Sequence, residues 1–349
     1  MKMVLIILLA AVLPVVTWAQ KSIIQEKIDE GIRLYDQHRY KEAAEEFKKA
    51  ILVDSLSEVA RYELSMAYFA LGEYEKAIEL SRWLVKYCQE DGILRNMYVI
   101  HGSCLDNLER PEEAIEVYKQ GLARYPDFFL LQFNLGVTRN NIRDYLGAEE
   151  CFKRAIVLNQ RHPGSHYALA QVMAAQEKRA PSILAALRFL SLEPKGERAS
   201  RALEHCQQMF KQGIEREAAD KIQITIKPKD TATAYQDDDF TVVDMVVSMA
   251  SALDMGQDKG DKSDAERFLK QVQSFCSVLE EQKPKNRGFF WDRLAPYFIE
   301  MKKRGYLEEF IHYLFFCHRD EQYLDQWVEK NKKSISEFLI WSEAYRWKE

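Results

Sequence analysis

The stretch Tyr40-Lys-Glu-Ala43-Ala-Glu-Glu-Phe47-Lys-Lys-Ala50 decides the fold, because its pattern returns along the first half of the chain. The further copies are Tyr74-Glu-Lys-Ala77-Ile-Glu-Leu-Ser81, Pro111-Glu-Glu-Ala114-Ile-Glu-Val-Tyr118 and Tyr145-Leu-Gly-Ala148-Glu-Glu-Cys-Phe152. The small residue of each copy recurs at Ala43, Ala77, Ala114, Ala148 and Ser182, in steps of 34, 37, 34 and 34 residues. A fixed period of this length predicts a stack of similar helical units.

Small residues on both helices of each unit indicate two antiparallel helices that approach closely. In the first helix of each unit they are Gly31, Ser65, Gly102, Gly136 and Ala170. In three units an aromatic residue follows the small residue of the second helix by four positions, at Phe47, Tyr118 and Phe152. Gly72 falls in the turn of the second unit, where a left-handed backbone is favourable for glycine.

These residues and their spacing resemble the tetratricopeptide repeat family. The resemblance implies an all-α fold, a right-handed solenoid of antiparallel helix hairpins followed by a smaller helical domain. Counted from the motif, the five repeats cover 24–57, 58–91, 95–128, 129–162 and 163–196. The fifth copy departs most from the family, since Arg179 replaces the usual aromatic residue.

In this family the first helix of each hairpin lines a concave groove that binds partners. Carrying the family's groove positions over, we predict a partner-binding groove formed by Tyr35, Tyr62, Met66, Phe69, Asn96, Asn107, Phe133, Asn140, Asn141 and Tyr167. Family members that capture the C-terminal carboxylate of a chaperone use Lys and Arg at these positions, and this set contains neither, so that activity is not expected here. Asparagine can still pair with a peptide backbone, because its amide both donates and accepts hydrogen bonds.

Three alternatives remain open for this wall of apolar, aromatic and asparagine side chains. It forms an open groove for a partner protein, or the C-terminal half of the chain fills it, or it has no binding role. Open grooves and filled ones have the same sequence pattern, so the residues alone do not separate these hypotheses.

After the repeats, the spacing of apolar residues predicts a capping helix over 197–220, a polar linker over 221–239 and a helical domain over 240–349. Within the linker, Ile222 to Ile226 alternates and is compatible with a short strand. The last domain is dense in aromatic residues. They are typical of a core, although Trp341, Tyr345 and Trp347 are also candidates for a recognition surface. This half resembles only in general character the regions of unknown function in exported bacterial tetratricopeptide proteins.

The N-terminal residues 1–19 match a secretory signal peptide: Lys2, an apolar run from Met3 to Val16, and small residues at Thr17 and Ala19 before Gln20. An uncleaved anchor is the alternative. We expect the protein to be extracytoplasmic, periplasmic or secreted, with no integral membrane segment after cleavage. The net charge of −5 and the absence of a basic patch disfavour nucleic acid as a partner. The oligomeric state is not predicted.

The six cysteines, an even number, allow disulfides in an exported protein, with Cys276–Cys317 as the preferred pair. Their wide, irregular spacing within helical segments argues against a disulfide framework.

No catalytic signature occurs in the sequence, and we predict no cofactor, no metal site and no enzymatic activity. His162 and His166 are too few for a metal site. The run Asp237-Asp238-Asp239 lacks the spacing of a calcium loop, so Asp239 or Thr241 is expected to cap the next helix. Cys317 and His318 are expected to close a helix.

The sequence therefore favours a non-catalytic scaffold or adaptor that binds other proteins, with envelope proteins as the expected partners. The alternative is a receptor for a small ligand or glycan that uses an aromatic pocket between the repeats and the C-terminal domain.

Overall fold

A computed structural model of the chain describes residues 21–218, 221–225, 239–256, 263–318 and 322–347. The predicted signal peptide and the acidic residues Asp237 and Asp238 lie outside these ranges. The chain divides into two compact units, one up to Leu158 and one from Asn159 onward. No helix among the described residues is long and apolar enough to cross a membrane.

Four helical hairpins form the first unit. Its helices are α1 (21–36), α2 (Tyr40–Val53), α3 (Glu58–Ala70), α4 (Tyr74–Tyr87), α5 (Asp91–Asn107), α6 (Pro111–Arg124), α7 (Phe129–Asn141) and α8 (Tyr145–Leu158). From α2 to α8 each helix packs against its neighbour along the chain, and Gly31 of α1 lies against the ring of Phe47 in α2. The all-α architecture and the hairpin register predicted from the repeat are confirmed.

Within each hairpin the two helices meet through residues of complementary size. The small residue of the second helix is fully buried in every copy: Ala43, Ala77, Ala114, Ala148 and Ser182. Where the first helix has glycine, an aromatic ring of the second helix covers it, in the pairs Gly31–Phe47, Gly102–Tyr118 and Gly136–Phe152. A Cβ on any of these glycines would lie less than 3.0 Å from the ring. In the other copies both positions are small, Ser65 with Ser81 and Ala170 with Ala186. The aromatic ring thus fills space inside its own hairpin.

Every hairpin turn places one residue in the left-handed region of the backbone. These residues are His38, Gly72, Glu109, Arg143 and Glu177, with φ between 58° and 74°. They follow the period of the repeat, and only the second hairpin uses glycine.

Backbone strain at these turns should therefore be measurable. A left-handed conformation costs a non-glycine residue about 1 kcal/mol, so Arg143→Gly is expected to stabilise the chain by up to that amount. Gly72→Ala is expected to destabilise it by about 1 kcal/mol, although nothing lies within 4 Å of the added Cβ. Urea unfolding curves measure both effects. Unchanged midpoints for both variants would contradict the assignment of strain to the backbone.

The second unit begins with α9 (Pro163–Ala175) and α10 (Arg179–Leu192), which form the fifth hairpin, followed by α11 (Glu197–Lys211). The helix predicted over 197–220 is too long: it ends at Lys211, because Gly213 adopts a φ of 75° and starts a strand. Strand β1 (Ile214–Ala218) pairs antiparallel with β2 (Lys221–Ile224), and Ile214 lies opposite Ile224. Residues 221–224 of the predicted linker are therefore a strand.

After the linker the described helices are α12 (Thr241–Gly256), α13 (Asp264–Gln282), α14 (Ala295–Lys303), α15 (Leu307–Phe316), α16 (Gln322–Lys330) and α17 (Lys332–Ala344). A 3₁₀ turn (Lys283–Lys285) and a π-turn (Phe290–Leu294) precede α14. Asp239 accepts the backbone N–H of Thr241 at the start of α12 over 3.1 Å, as predicted. Ser263 and Glu266 form a capping box at the start of α13.

Aromatic side chains build much of the core of the second unit. Trp291 is fully buried, stacks on Phe240 with ring centroids 4.3 Å apart, and donates its indole N–H to the carbonyl of Asp239. Tyr297 and Phe298 are also buried. All six cysteines carry free thiols, so the Cys276–Cys317 disulfide considered above is not formed. Burial raises the pKa of the Cys276 thiol to about 12.

Candidate protein-binding face

The first helices of successive hairpins pack side by side in the first unit. Helix α3 contacts α5, and α5 contacts α7. They form one layer of the solenoid, and the second helices of the hairpins form the other. The predicted groove residues of this unit all belong to the first-helix layer. We call the surface of that layer the inner face.

Aromatic side chains of the inner face are held by rings at the start of the following helix. Tyr35 packs edge-on against Tyr40 with centroids 5.0 Å apart, and Phe69 packs edge-on against Tyr74 at 5.7 Å. Both Tyr40 and Tyr74 are the first residues of a second helix, so the repeat itself places them. The ring of Phe133 lies 5.9 Å from that of Phe152. These groove rings are half-buried and presented in fixed positions.

The asparagines of the inner face are partly engaged within the chain. Asn107 is exposed; it donates to the carbonyl of Ser103 and accepts the hydroxyl of Tyr74 at 3.2 Å. Asn141 is exposed and donates to the carboxylate of Asp106 at 3.2 Å. Asn96 donates to the carbonyl of Gly92 in its own helix. An amide carries two donor hydrogens and two acceptor lone pairs, so each retains capacity for a partner backbone.

Carboxylates give the inner face a negative character. Burial raises the pKa of Glu63 above its ordinary value, and the nearby charge of Asp36 adds to the effect. Burial also raises the pKa of Asp106, against the hydrogen bond from Asn141 that lowers it. Burial raises the pKa of both Tyr35 and Tyr62, and the nearby charge of Glu63 makes a smaller contribution to each.

Two of these acidic residues were missed from the sequence. Asp36 occupies a groove position of the first repeat that the carried-over set omitted. Glu63 lies one position after a groove residue, where the family pattern assigns no contact. Asp36 belongs to the first hairpin and Glu63 to the second, so they are neighbours only because the hairpins pack together, which a repeat-by-repeat comparison does not show.

Tyr167 is the one predicted groove residue in the second unit. Its ring lies 5.0 Å from that of Phe189, and the guanidinium of Arg198 lies 5.8 Å from its centroid. The other nine residues of the predicted set belong to the first unit. The inner face defined here therefore rests on α1, α3, α5 and α7.

The histidines considered for chemistry have structural partners. His162 caps α9 by accepting the backbone N–H of Ser165, while His166 is fully buried, with its pKa lowered by burial to about 3. His318 contacts the Ser200 hydroxyl at 2.9 Å and the carbonyl of Pro194 at 2.7 Å. Among the described residues, no group of three His, Cys, Asp or Glu side chains is arranged to hold a metal ion.

A stack of antiparallel helical hairpins with complementary small and aromatic positions defines a helical-repeat solenoid. The sequence model of the tetratricopeptide repeat family matches residues 28–85 and 105–166. The hairpins within these ranges are tetratricopeptide repeats.

Known proteins share this repeat over limited lengths. The chain is 31% identical over 97 residues to the peroxisomal targeting signal receptor of Candida albicans, covering 28% of this chain and 16% of the receptor. It is 30% identical over 97 residues to the same receptor of Kluyveromyces lactis, covering 28% of this chain and 17% of that receptor. The chain therefore spans about a sixth of the length of these relatives.

Solved structures of similar fold include a thermophilic TPR protein of Thermus thermophilus, at 20% identity and a TM-score of 0.45, covering 53% of this chain and 98% of that one. Another is PilW, a type IV pilus biogenesis factor, at 18% identity and a TM-score of 0.46, covering 54% and 91%.

Proposed function

We propose that this protein is a non-catalytic, exported adaptor that binds a segment of a partner protein on the inner face of its first unit. The observation that carries the proposal is the inner face itself, where half-buried rings held by the repeat stand beside exposed asparagines. Rigid aromatic side chains contribute strongly to interfaces, because they bury a large area with little loss of conformational entropy.

The charge of the inner face narrows the class of partner. Asp36, Glu63 and Asp106 lie on it, and the predicted groove set contains no Lys or Arg. A terminal carboxylate would meet like charge there. We propose a partner segment that is apolar with neutral or basic residues, bound in extended or helical form.

The likeness to the peroxisomal targeting signal receptors supports binding of a protein partner, because those relatives are named as receptors for a targeting signal. It does not transfer their ligand, since the shared segment is about a sixth of each receptor.

Export is proposed from the N-terminal sequence alone. If the signal peptide is removed after Ala19, the protein isolated from its native host begins at Gln20. N-terminal sequencing and intact mass measure this directly. An intact N-terminus on a protein recovered from the cytoplasm would contradict export and would leave the inner face unaffected.

The binding role is tested by pull-down from an envelope extract. Asn107→Arg with Asn141→Arg should abolish retention of the partner, because both asparagines are exposed on the inner face and two bulky cations would replace them there. Phe133→Glu tests the contribution of the aromatic side chains of the inner face. The matched control is Leu146→Glu, which adds a charge at a side chain that is 73% exposed on α8.

Circular dichroism verifies that each variant is folded. A partner retained equally by the parent, the asparagine variant and the control would contradict binding at the inner face. If Phe133→Glu unfolds the protein, the exposed asparagine variant still decides the question.

A further inference from the structure

A cavity of about 340 Å³ opens beside the end of the chain in the second unit. Its lining includes Trp347, Tyr345 and Pro296, together with charged side chains from the turns before α14 and from α14 itself. This volume is within the range of small-molecule sites. None of the residues that line it belongs to the five repeats, so it is separate from the inner face.

The aromatic wall of the cavity is fixed in place. The ring of Tyr345 is buried, packs edge-on against Tyr297 at 4.9 Å, and lies 5.7 Å from the ring of Trp341. The guanidinium of Arg293 lies 4.9 Å from the centroid of the Trp347 ring. Trp347 is half-buried, so part of its surface is available to a ligand.

The charges around the cavity are balanced by partners within the protein. Lys283 pairs with Asp292 at 2.8 Å, Lys303 with Glu280 at 3.2 Å, and Glu300 with Arg304 at 2.9 Å. A charged ligand would have to compete with these ion pairs. A carboxylate in an ion pair can still accept a hydrogen bond, and a paired ammonium group can still donate one. Both can therefore bind neutral hydroxyl groups, which donate and accept hydrogen bonds.

A local distortion of the helix places Asp292 at the rim. In a regular α-helix the ring of Pro296 would clash with the carbonyl of Asp292, four residues earlier. The chain instead forms a π-turn, in which the N–H of Ala295 bonds to the carbonyl of Phe290. The carboxylate of Asp292 also accepts the N–H of Gly288 at 3.1 Å. Such π-turns occur frequently at functional sites.

We infer that this cavity binds a neutral saccharide, with one sugar ring stacked on Trp347 and hydroxyl groups bonded to the side chains of Lys283, Asp292 and Glu300. The aromatic surface suits the apolar C–H face of a pyranose, while the balanced charges suit its hydroxyls. This site is independent of the proposed protein-binding role, because it lies in the second unit.

Titration of the full chain with cellobiose, maltose and N,N′-diacetylchitobiose tests the inference by calorimetry and saturation-transfer NMR. At least one of them should bind saturably. Trp347→Ala should weaken that binding about tenfold or more, whereas Trp347→Phe should retain most of it. Tyr87→Ala removes an exposed aromatic residue of the first unit and should have no effect.

Galacturonic acid and glucosamine serve as charged comparators and should bind no more tightly than the neutral sugars. Melting curves check that the Trp347 variants fold; should Trp347→Ala unfold, the chemical shifts of the indole N–H in the parent report the contact. Absence of binding by all three neutral sugars would overturn the inference. So would binding that Trp347→Ala leaves unchanged, or tighter binding of a charged comparator.

Discussion

Gly136→Leu is expected to lower the free energy of unfolding by about 3 kcal/mol, because a core that is already filled cannot accept a larger side chain without strain. A Cβ at this position would lie 2.7 Å from the ring of Phe152 and 3.1 Å from Cys151, and both of those residues are buried. Chemical denaturation monitored by far-ultraviolet circular dichroism measures the loss.

Gly92→Leu is the matched control. Gly92 also lies in a first helix, but the nearest atom to its added Cβ is the end of the Glu90 side chain at 3.4 Å. It should be neutral or slightly stabilising, since glycine is a poor helix former. Equal effects of the two substitutions would refute the assigned register.

The size complementarity within the hairpin gives a sharper version of this test. The fifth hairpin has alanine at both positions, Ala170 and Ala186, where the fourth has Gly136 and Phe152. Phe152→Ala should therefore be less damaging in a chain that also has Gly136→Ala. A double-mutant cycle should give a favourable coupling of about 1 kcal/mol or more between the two sites. Additive effects would show that the pair does not share one space.

Arg179→Met is expected to destabilise the second unit by about 3–5 kcal/mol, because it removes a buried cation that donates hydrogen bonds to three acceptors in two other helices. Its guanidinium donates to the carbonyls of Met209 and Phe210 near the end of α11 and to the hydroxyl of Ser248 in α12, each over 2.6 Å. The carbonyl of Met209 also accepts the N–H of Gln212 at 3.3 Å, whereas the carbonyl of Phe210 lies in the last turn of α11, where carbonyls lack intrahelical donors, and would lose the donor that Arg179 supplies.

Removal of Arg179 would also leave the buried carboxylate of Asp244 without the cation that stabilises its charge. Asp244 accepts the N–H of Ala180 at 3.1 Å, and burial raises its pKa to about 6 although Arg179 opposes the shift. Arg179→Lys should recover less than half of the loss, since an ammonium cannot reach three acceptors that lie in different directions. Hydrogen exchange in α11 and tryptophan fluorescence measure the effect.

Arg201→Met, which removes an exposed ion pair with Glu197, is the control and should change stability by less than about 0.5 kcal/mol. A loss for Arg179→Met as small as that of the control would contradict this account.

The periodic part of the fold was predictable because each hairpin repeats the same local solution. Ala43 and Ala148 are buried for the same reason, and that reason is visible in the spacing of the sequence. The role of Arg179 was not predictable, since the sequence shows only that an aromatic residue is missing. Its partners lie 30 to 69 residues further along the chain and are brought there by tertiary packing.

The candidate face was predicted in part for the same physical reason. Positions such as Tyr35 and Phe69 follow from the repeat, and the structure shows the rings of Tyr40 and Tyr74 that hold them. The pKa of the half-buried Glu63 is raised by burial and by the charge of Asp36. Asp36 belongs to the preceding hairpin, so no single repeat contains both residues. The end of α11 at Lys211 was missed because the spacing of apolar residues continues into β1. The helix ends at the positive φ of Gly213, which that spacing does not reveal.

Site-specific photocrosslinking measures whether the inner face of the first unit contacts a partner protein. A benzophenone amino acid is placed at Phe69, on the inner face, or at Leu146, on α8, and the protein is irradiated in the intact envelope. We expect one discrete adduct from position 69 that is absent from position 146 and is lost when Asn107→Arg and Asn141→Arg are added. Crosslinking only within the chain at position 69, or the same adducts from both positions, would contradict it.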